Sequence, residues 1–223
     1  IGADIGPALT TDPRVRRISF TGSPSTARSI GAAAGANIIP FTAELGGKGA
    51  LLVFADSDLE AAARTAAGQF DDSGQVCLAG TRLLVEASVA DDFLARFNYH
   101  VDAHVLGDSH DDAVTVTPMI HPAHVVRVEG FIERARLAGD EVLRGGGRFV
   151  PDGWTGRPEH ALWVEPTLIS PVSNDSEIVQ NEVFGPVLTF QTFSDEREAV
   201  ALANSTDYGL SATLFTGSTK RAD

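Results

Sequence analysis

Residues 15–54 read VRRISFTGSPSTARSIGAAAGANIIPFTAELGGKGALLVF, and the fold follows from how this stretch is divided. Val15 to Phe20 has the β-branched and aromatic character of a strand, and Thr21-Gly22-Ser23 turns the chain. A helix is expected from Pro24 to about Ala34. Ser23 can cap its first turn, Pro24 suits the first helical position and Gly35 can end it. A second strand is expected from Asn37 to Leu45, then a bend at Gly46-Gly47-Lys48-Gly49, then an apolar strand from Ala50 to Phe54. Strand, helix and strand in this order make a crossover unit, which joins parallel strands.

The alternation continues outward. A helix is expected from Leu59 to about Gln69, a strand from Thr81 to Glu86, and a helix capped by Ser88. A further amphipathic helix is expected over about Ala123 to Ala138, with Val126, Val128, Phe131, Ile132 and Leu137 as its apolar residues. Gly145-Gly146-Gly147 and Pro151 to His160 read as surface loop. Strands follow at Leu162 to Ile169 and Val187 to Phe193, a helix from Asp195 to Asn204, a strand from Ser211 to Thr216, and a helical start at Ser218 to Asp223. The pattern is that of an α/β protein with a largely parallel sheet.

Composition narrows the class. With 43% apolar and 21% charged residues, the chain has the balance of a folded globular protein. Acidic side chains number 30 against 17 basic ones, for a formal charge of -13, so a phosphate backbone or anionic membrane is repelled on average. Nucleic acid and membrane are therefore not expected partners. A single cysteine forms no internal disulfide and no cysteine-rich metal site, which suits a reducing compartment and makes the cytoplasm the expected location.

Three features carry possible chemistry. Phe20-Thr21-Gly22-Ser23 ends a strand in glycine at a capped helix start, where free N–H groups and the helix dipole favour a phosphate. Glu44-Leu45-Gly46-Gly47-Lys48 places a carboxylate at the end of an apolar strand, where apolar surroundings would raise its pKa towards that of a general base. Gly74-Gln75-Val76-Cys77 puts a thiol in a glycine-containing loop, whose N–H groups favour the thiolate. Each has a plainer reading when taken alone: an ordinary turn, a solvent-facing glutamate, a packing cysteine.

Taken together and in order, with Glu182-Val183-Phe184-Gly185-Pro186 as a fourth motif, they resemble the aldehyde dehydrogenase family. Cys77 follows Glu44 by 33 positions, the spacing of base and nucleophile in that family. Asp56-Ser57-Asp58-Leu59, Glu165-Pro166-Thr167 and Tyr208-Gly209-Leu210 extend the similarity over essentially the whole chain. The resemblance implies the end of a Rossmann-like NAD(P)-binding domain at residues 1–44 and an α/β catalytic domain at 45–223, truncated at its C-terminus. It implies that Gly22 and Ser23 lie near the dinucleotide pyrophosphate, and that Leu45, Glu182 and Phe184 belong to the cofactor site, with Glu182 on the nicotinamide ribose. Cys77 would be the nucleophile and Glu44 the base that activates water.

The resemblance also implies an aldehyde substrate, NAD or NADP as cofactor, and a homo-oligomeric parent a little over twice this length. The family's upstream asparagine and its lysine near the adenosine ribose would then lie before Ile1. Two positions depart from the family pattern: Ala27 where many members have glycine, and Asp72 where they have asparagine. Neither change is expected to abolish chemistry. Two alternatives stay open at this stage, a catalytically silent folded module of the same family and a cofactor-free thiol esterase using Cys77 and Glu44.

Overall fold

The computed structural model describes residues 2–222, and the chain divides between Gly46 and Gly47 into two compact units. The first unit holds α1 (Gly2–Thr11), β1 (Ile18–Gly22), α2 (Pro24–Ala36) and β2 (Phe41–Leu45). Strands β1 and β2 pair in parallel, as the crossover reading requires, with Thr21 opposite Glu44 and Gly22 opposite Leu45. Ser23 caps α2 through its Oγ, which accepts from the Thr26 N–H at 3.3 Å, and Pro24 occupies the first turn. The helix passes Gly35 and stops at Asn37, after which Ile38 takes a φ of 53°. That turn and Pro40 shorten β2 to five residues, against the nine expected from sequence.

The second unit is built on a six-stranded sheet. Its strands are β3 (Ala50–Val53), β4 (Arg82–Glu86), β5 (Glu141–Arg144), β8 (Thr167–Ser170), β9 (Val187–Phe193) and β10 (Ala212–Phe215). The order is β10-β3-β4-β9-β8-β5, and every neighbouring pair is parallel except β5 with β8. A separate two-stranded ribbon joins β6 (Arg148–Phe149) to β7 (Trp163–Val164). The helices are α3 (Leu59–Ala67), α4 (Ala90–Asp102), α5 (Pro122–Leu137), α6 (Glu177–Gln180), α7 (Glu196–Ala203) and α8 (Thr219–Ala222).

Both sheet faces are covered, which explains why the central strands are apolar without alternation. Leu51, Val53, Leu83 and Val85 pack with Ala62, Ala63, Ala66 and Ala67 of α3 and with Phe93, Phe97 and Val101 of α4. Ala50, Leu52 and Leu84 face the other way and meet Phe193 and Ala199 of α7. Val125, Val128, Ile132 and Ala135 of α5 form a third cluster with Ile169, Val179 and Val187. The buried stripe of α5 therefore runs through Val125, whereas Val126 and Leu137, expected on it, are exposed.

Other differences have local causes. Pro166 divides the strand expected at Leu162 to Ile169 into β7 and β8, since it has no N–H for the ladder. Ser88 does not cap α4: its Oγ donates to Glu86 Oε1 at 3.2 Å, and the helix begins after a short 3-10 turn at Ala87–Val89. Strands β5 and β6 flank the triple glycine that reads as loop. The helical start at Ser218 is present in α8, and its last expected residue, Asp223, lies outside the described residues. No helix among the described residues is long and apolar enough to cross a membrane.

Candidate active site

The first unit brings two of the sequence motifs together at one end of a parallel pair. Thr21 and Gly22 finish β1, Glu44 and Leu45 finish β2, and the register sets them side by side. Carboxyl ends of parallel strands are where open α/β sheets bind ligands. Ser23 is exposed, with its hydroxyl engaged in the cap and within 3.0 Å of the Ser25 and Thr26 hydroxyls. Glu44 is also exposed, because the alternation of β2 turns it outward with Thr42. The apolar surroundings expected for this carboxylate are not found among the described residues. Among the described residues the Glu44 carboxylate has no hydrogen-bond or ion-pair partner.

The second unit gathers the remaining motifs by a different rule. Each one leads into a strand: Gly47-Lys48-Gly49 into β3, Cys77 to Gly80 into β4, Glu182 to Pro186 into β9, and Tyr208-Gly209-Leu210 into β10. These strands are adjacent and parallel, so their starts lie along one edge of the sheet. Contacts at that edge are close. A Cβ on Gly47 would fall 2.4 Å from the Cys77 carbonyl oxygen, and one on Gly74, whose φ is 63°, would fall 2.3 Å from the Gly185 carbonyl oxygen. Only glycine permits both approaches.

Cys77 is half-buried in a turn closed by the Ala79 N–H donating to the Val76 oxygen at 3.2 Å. Its own N–H donates to no protein acceptor among the described residues. The segment before it is held firmly. Asp72 and Ser73 both take left-handed backbone angles, with φ of 53° and 55°. The Asp72 carbonyl accepts from the Gln75 N–H at 3.1 Å and from Gln75 Nε2 at 3.0 Å, and the buried Ser73 hydroxyl donates to the Thr117 oxygen. After glycine, asparagine and aspartate are the residues that best tolerate this conformation, which suits Asp72 to its place.

Glu182 is half-buried, and its Oε1 accepts from the Gly47 N–H at 3.1 Å. Its Oε2 has no protein partner among the described residues. A carboxylate fixed through one oxygen and open at the other is suited to accept from the hydroxyls of a ribose. Phe184 is half-buried with a φ of 58°, a left-handed conformation for an aromatic residue. Lys48, in the same bend as Gly47, is 3% exposed. Burial, then the like charge of Arg82, lowers its pKa from the ordinary 10.5 to about 7, while Glu182 acts in the opposite direction.

Arg82 was not marked by the sequence reading, although it lies five positions beyond Cys77. It is buried, with Nε donating to the Lys48 oxygen at 2.9 Å and Nη1 and Nη2 donating to the Leu202 and Ala203 oxygens at 2.7 Å each. His124 and Arg127 on α5 were likewise read as part of a core helix, yet they donate to the carbonyls of the Glu182 motif. Their signal was a basic pair three residues apart on a helix whose buried stripe lies one position away. No group of histidine, cysteine and carboxylate side chains able to hold a metal occurs among the described residues.

A doubly covered, mostly parallel sheet whose starting edge gathers a glycine-seated cysteine loop and a half-open carboxylate defines an α/β protein with a candidate thiol site. The sequence profile described as the aldehyde dehydrogenase family matches residues 1–223, and the chain belongs to that family. It is 38% identical over 220 residues to a betaine aldehyde dehydrogenase of Rhizobium leguminosarum bv. trifolii, and 40% identical over 219 residues to one of Cereibacter sphaeroides. Each match covers 98% of this chain and 44% of the relative, so the chain spans under half the length of these curated relatives.

Solved structures agree. A betaine aldehyde dehydrogenase from Staphylococcus aureus in complex with NAD+ superposes with a TM-score of 0.93 at 34% identity, over 100% of this chain and 44% of that one. An NAD-dependent aldehyde dehydrogenase from Sinorhizobium meliloti gives 0.92 at 36%, over 99% and 43%. The expected family and fold class are both found.

Proposed function

We propose that the complete protein carrying this chain oxidises an aldehyde to a carboxylic acid with NAD or NADP, using Cys77 as nucleophile and Glu44 as base. The observation that supports it best is the convergence of the Gly47 bend, the Cys77 loop and the Glu182 motif on one sheet edge, with glycine required where the Cys77 and Gly185 carbonyls approach. The betaine aldehyde dehydrogenases among its relatives make a quaternary-ammonium aldehyde the first substrate to test. The acidic charge and the single cysteine support a cytoplasmic location without nucleic-acid partners, and family membership supports a homo-oligomer.

The residues act in sequence. The Cys77 thiolate adds to the aldehyde carbon, and the carbonyl oxygen becomes an oxyanion that the free Cys77 N–H can stabilise. NAD or NADP, when bound, supplies the acceptor for the hydride that leaves this carbon. Glu182 would hold the ribose through its open oxygen, with Phe184 packed beside the ring, and Gly22, Ser23 and Leu45 would serve the pyrophosphate end. The acyl group is left on Cys77 as a thioester. Glu44 takes a proton from water, the hydroxide adds to the thioester carbon, and the Cys77 thiolate departs as the acid forms. The exposure of Glu44 supports its meeting water directly.

The test is rapid mixing of Glu44→Gln in the complete protein. Hydride transfer precedes deacylation, so the mutant should keep a stoichiometric burst of reduced nicotinamide and lose about 100-fold or more in steady turnover. Unchanged turnover would remove Glu44 from the mechanism. A Cys77→Ala variant that still gave a burst would remove the reading as a whole.

A further inference from the structure

The second unit contains a cleft that shares no lining residue with the candidate thiol site. The β6–β7 ribbon sets Phe149 opposite Trp163, the loop joining the two strands carries Trp154, and all three rings line the cleft. Residues between Val105 and Val114 line it as well. Its volume is about 520 Å³, inside the range of roughly 300 to 1,000 Å³ that small-molecule sites occupy.

Both tryptophans of the chain stand here, with ring centres 5.5 Å apart and planes at 78°. Each indole N–H is already engaged. Trp163 Nε1 donates to the Gly107 oxygen at 2.8 Å, and Trp154 Nε1 donates to the Arg157 oxygen at 3.3 Å. What the rings offer a ligand is therefore π surface, whose electron-rich face attracts a cation. Three carboxylates, Asp108, Asp111 and Asp152, line the same cleft, and no lysine, arginine or histidine does so among the described residues. Hydrogen bonds from the His110 backbone and then its ring hold Asp108 below the usual carboxylate range, so it is charged at neutral pH. The Asp152 carboxylate has no hydrogen-bond or ion-pair partner among the described residues. Arg148 and Arg157, the basic residues beside this loop in sequence, pair instead with Glu129 and Glu159.

We infer that this cleft binds a small organic cation of the quaternary-ammonium class, at a site separate from the candidate thiol site and independent of the function proposed for it. The aromatic lining selects the kind of cation. A primary ammonium is strongly hydrated and gives up its water only to well-placed acceptors. A quaternary ammonium has no N–H to satisfy and a diffuse charge, so aromatic surface beside unneutralised carboxylates is enough to hold it. The carboxylates select by charge. They repel a ligand that carries its own carboxylate or phosphate, and they give no advantage to an uncharged ligand of the same shape.

The experiment is a titration of the complete protein, labelled with fluorotryptophan, with choline chloride and read by fluorine NMR. Trp154→Phe and Trp163→Phe assign the two signals. Both should shift together and saturate, with a Kd on the order of 1 mM. The carbon isostere of choline, equal in shape but uncharged, should bind about 10-fold more weakly, and so should zwitterionic trimethylglycine. Trp154→Leu keeps the apolar bulk but loses the π face, and should weaken choline by about 5-fold or more as read at Trp163. If that variant does not fold, Asp152→Asn decides in its place, with an expected loss of about 2- to 5-fold that shrinks in high salt. No saturable shift, equal binding of the isostere, or unchanged affinity in the deciding variant would each overturn the inference. The trimethylammonium group is also a phospholipid headgroup, so the last arm replaces choline by phosphatidylcholine vesicles. Shifts with vesicles and none with choline would assign the cleft to a membrane surface and overturn the small-molecule site.

Discussion

At the residue scale, the site divides into groups that chemistry names and groups that packing names. Cys77, Glu44 and Glu182 could be proposed from sequence because thiols and carboxylates beside glycines stand there in ordered motifs. Lys48 was visible as one of two lysines, but its burial was not. Burial makes Lys48 a testable group. Its folded pKa of about 7 lies below the ordinary 10.5, so between these values the unfolded chain holds a proton that the folded chain has released. Stability therefore rises with pH across that window, and below about pH 7 the full cost of burying the ammonium is present. Lys48→Met removes the cost and should raise the melting temperature more at pH 6 than at pH 9. The two gains should differ by about 2 to 3 kcal/mol in stability. Calorimetry that found the same gain at both pH values would show that Lys48 does not titrate in the folded protein.

At the element scale, the order of strands and helices was readable, and the errors lie where one residue overrides a pattern. Pro166 splits a strand, Ile38 delays one, and Ser88 bonds to Glu86 instead of capping α4. The convergence of motifs at the sheet edge was not readable, because it depends on β3, β4, β9 and β10 being neighbours although β9 is separated from β4 by a hundred residues. Arg82 fastens this arrangement. From β4 it reaches the Lys48 carbonyl in the bend before β3 and the Leu202 and Ala203 carbonyls at the end of α7. These are buried or half-buried charge-assisted bonds, and replacing the guanidinium leaves their acceptors without this donor. Arg82→Met is expected to cost about 3 kcal/mol and lower the melting temperature by roughly 5 to 10 °C. Arg82→Lys should recover little, since one ammonium cannot reproduce three directed bonds. A melting temperature within 1 to 2 °C of wild type, about the scale of an ordinary surface change, would assign the tie elsewhere.

At the scale of the whole molecule, the sequence conveys the class of fold better than the distribution of stability. The second unit owns three buried clusters that cover both faces of its sheet. In the first, Ala27 and Ala34 are the buried hydrophobic residues among those described, α1 buries none of its side chains, and the sheet has two strands. A two-stranded sheet with so little apolar burial is weakly stabilised, and local opening free energy follows buried apolar contact. In sequence β1 (ISFTG) and β2 (FTAEL) alternate apolar with polar residues, whereas β3 (ALLV) and the centre of β4 (RLLVE) are continuously apolar, as strands covered on both faces are. The difference is in what covers them. Native-state hydrogen exchange on this chain should therefore show Ile18–Gly22 and Phe41–Leu45 exchanging faster than the amides of β4 and β9 by on the order of 100-fold or more, a gap of about 3 kcal/mol. The central strands should exchange only through global unfolding and respond to denaturant with the full slope, whereas β1 and β2 should show a small one. Equal protection and equal slopes in the two units would mean that the chain unfolds as one cooperative body, and that the thin burial of the first unit is not what sets its stability.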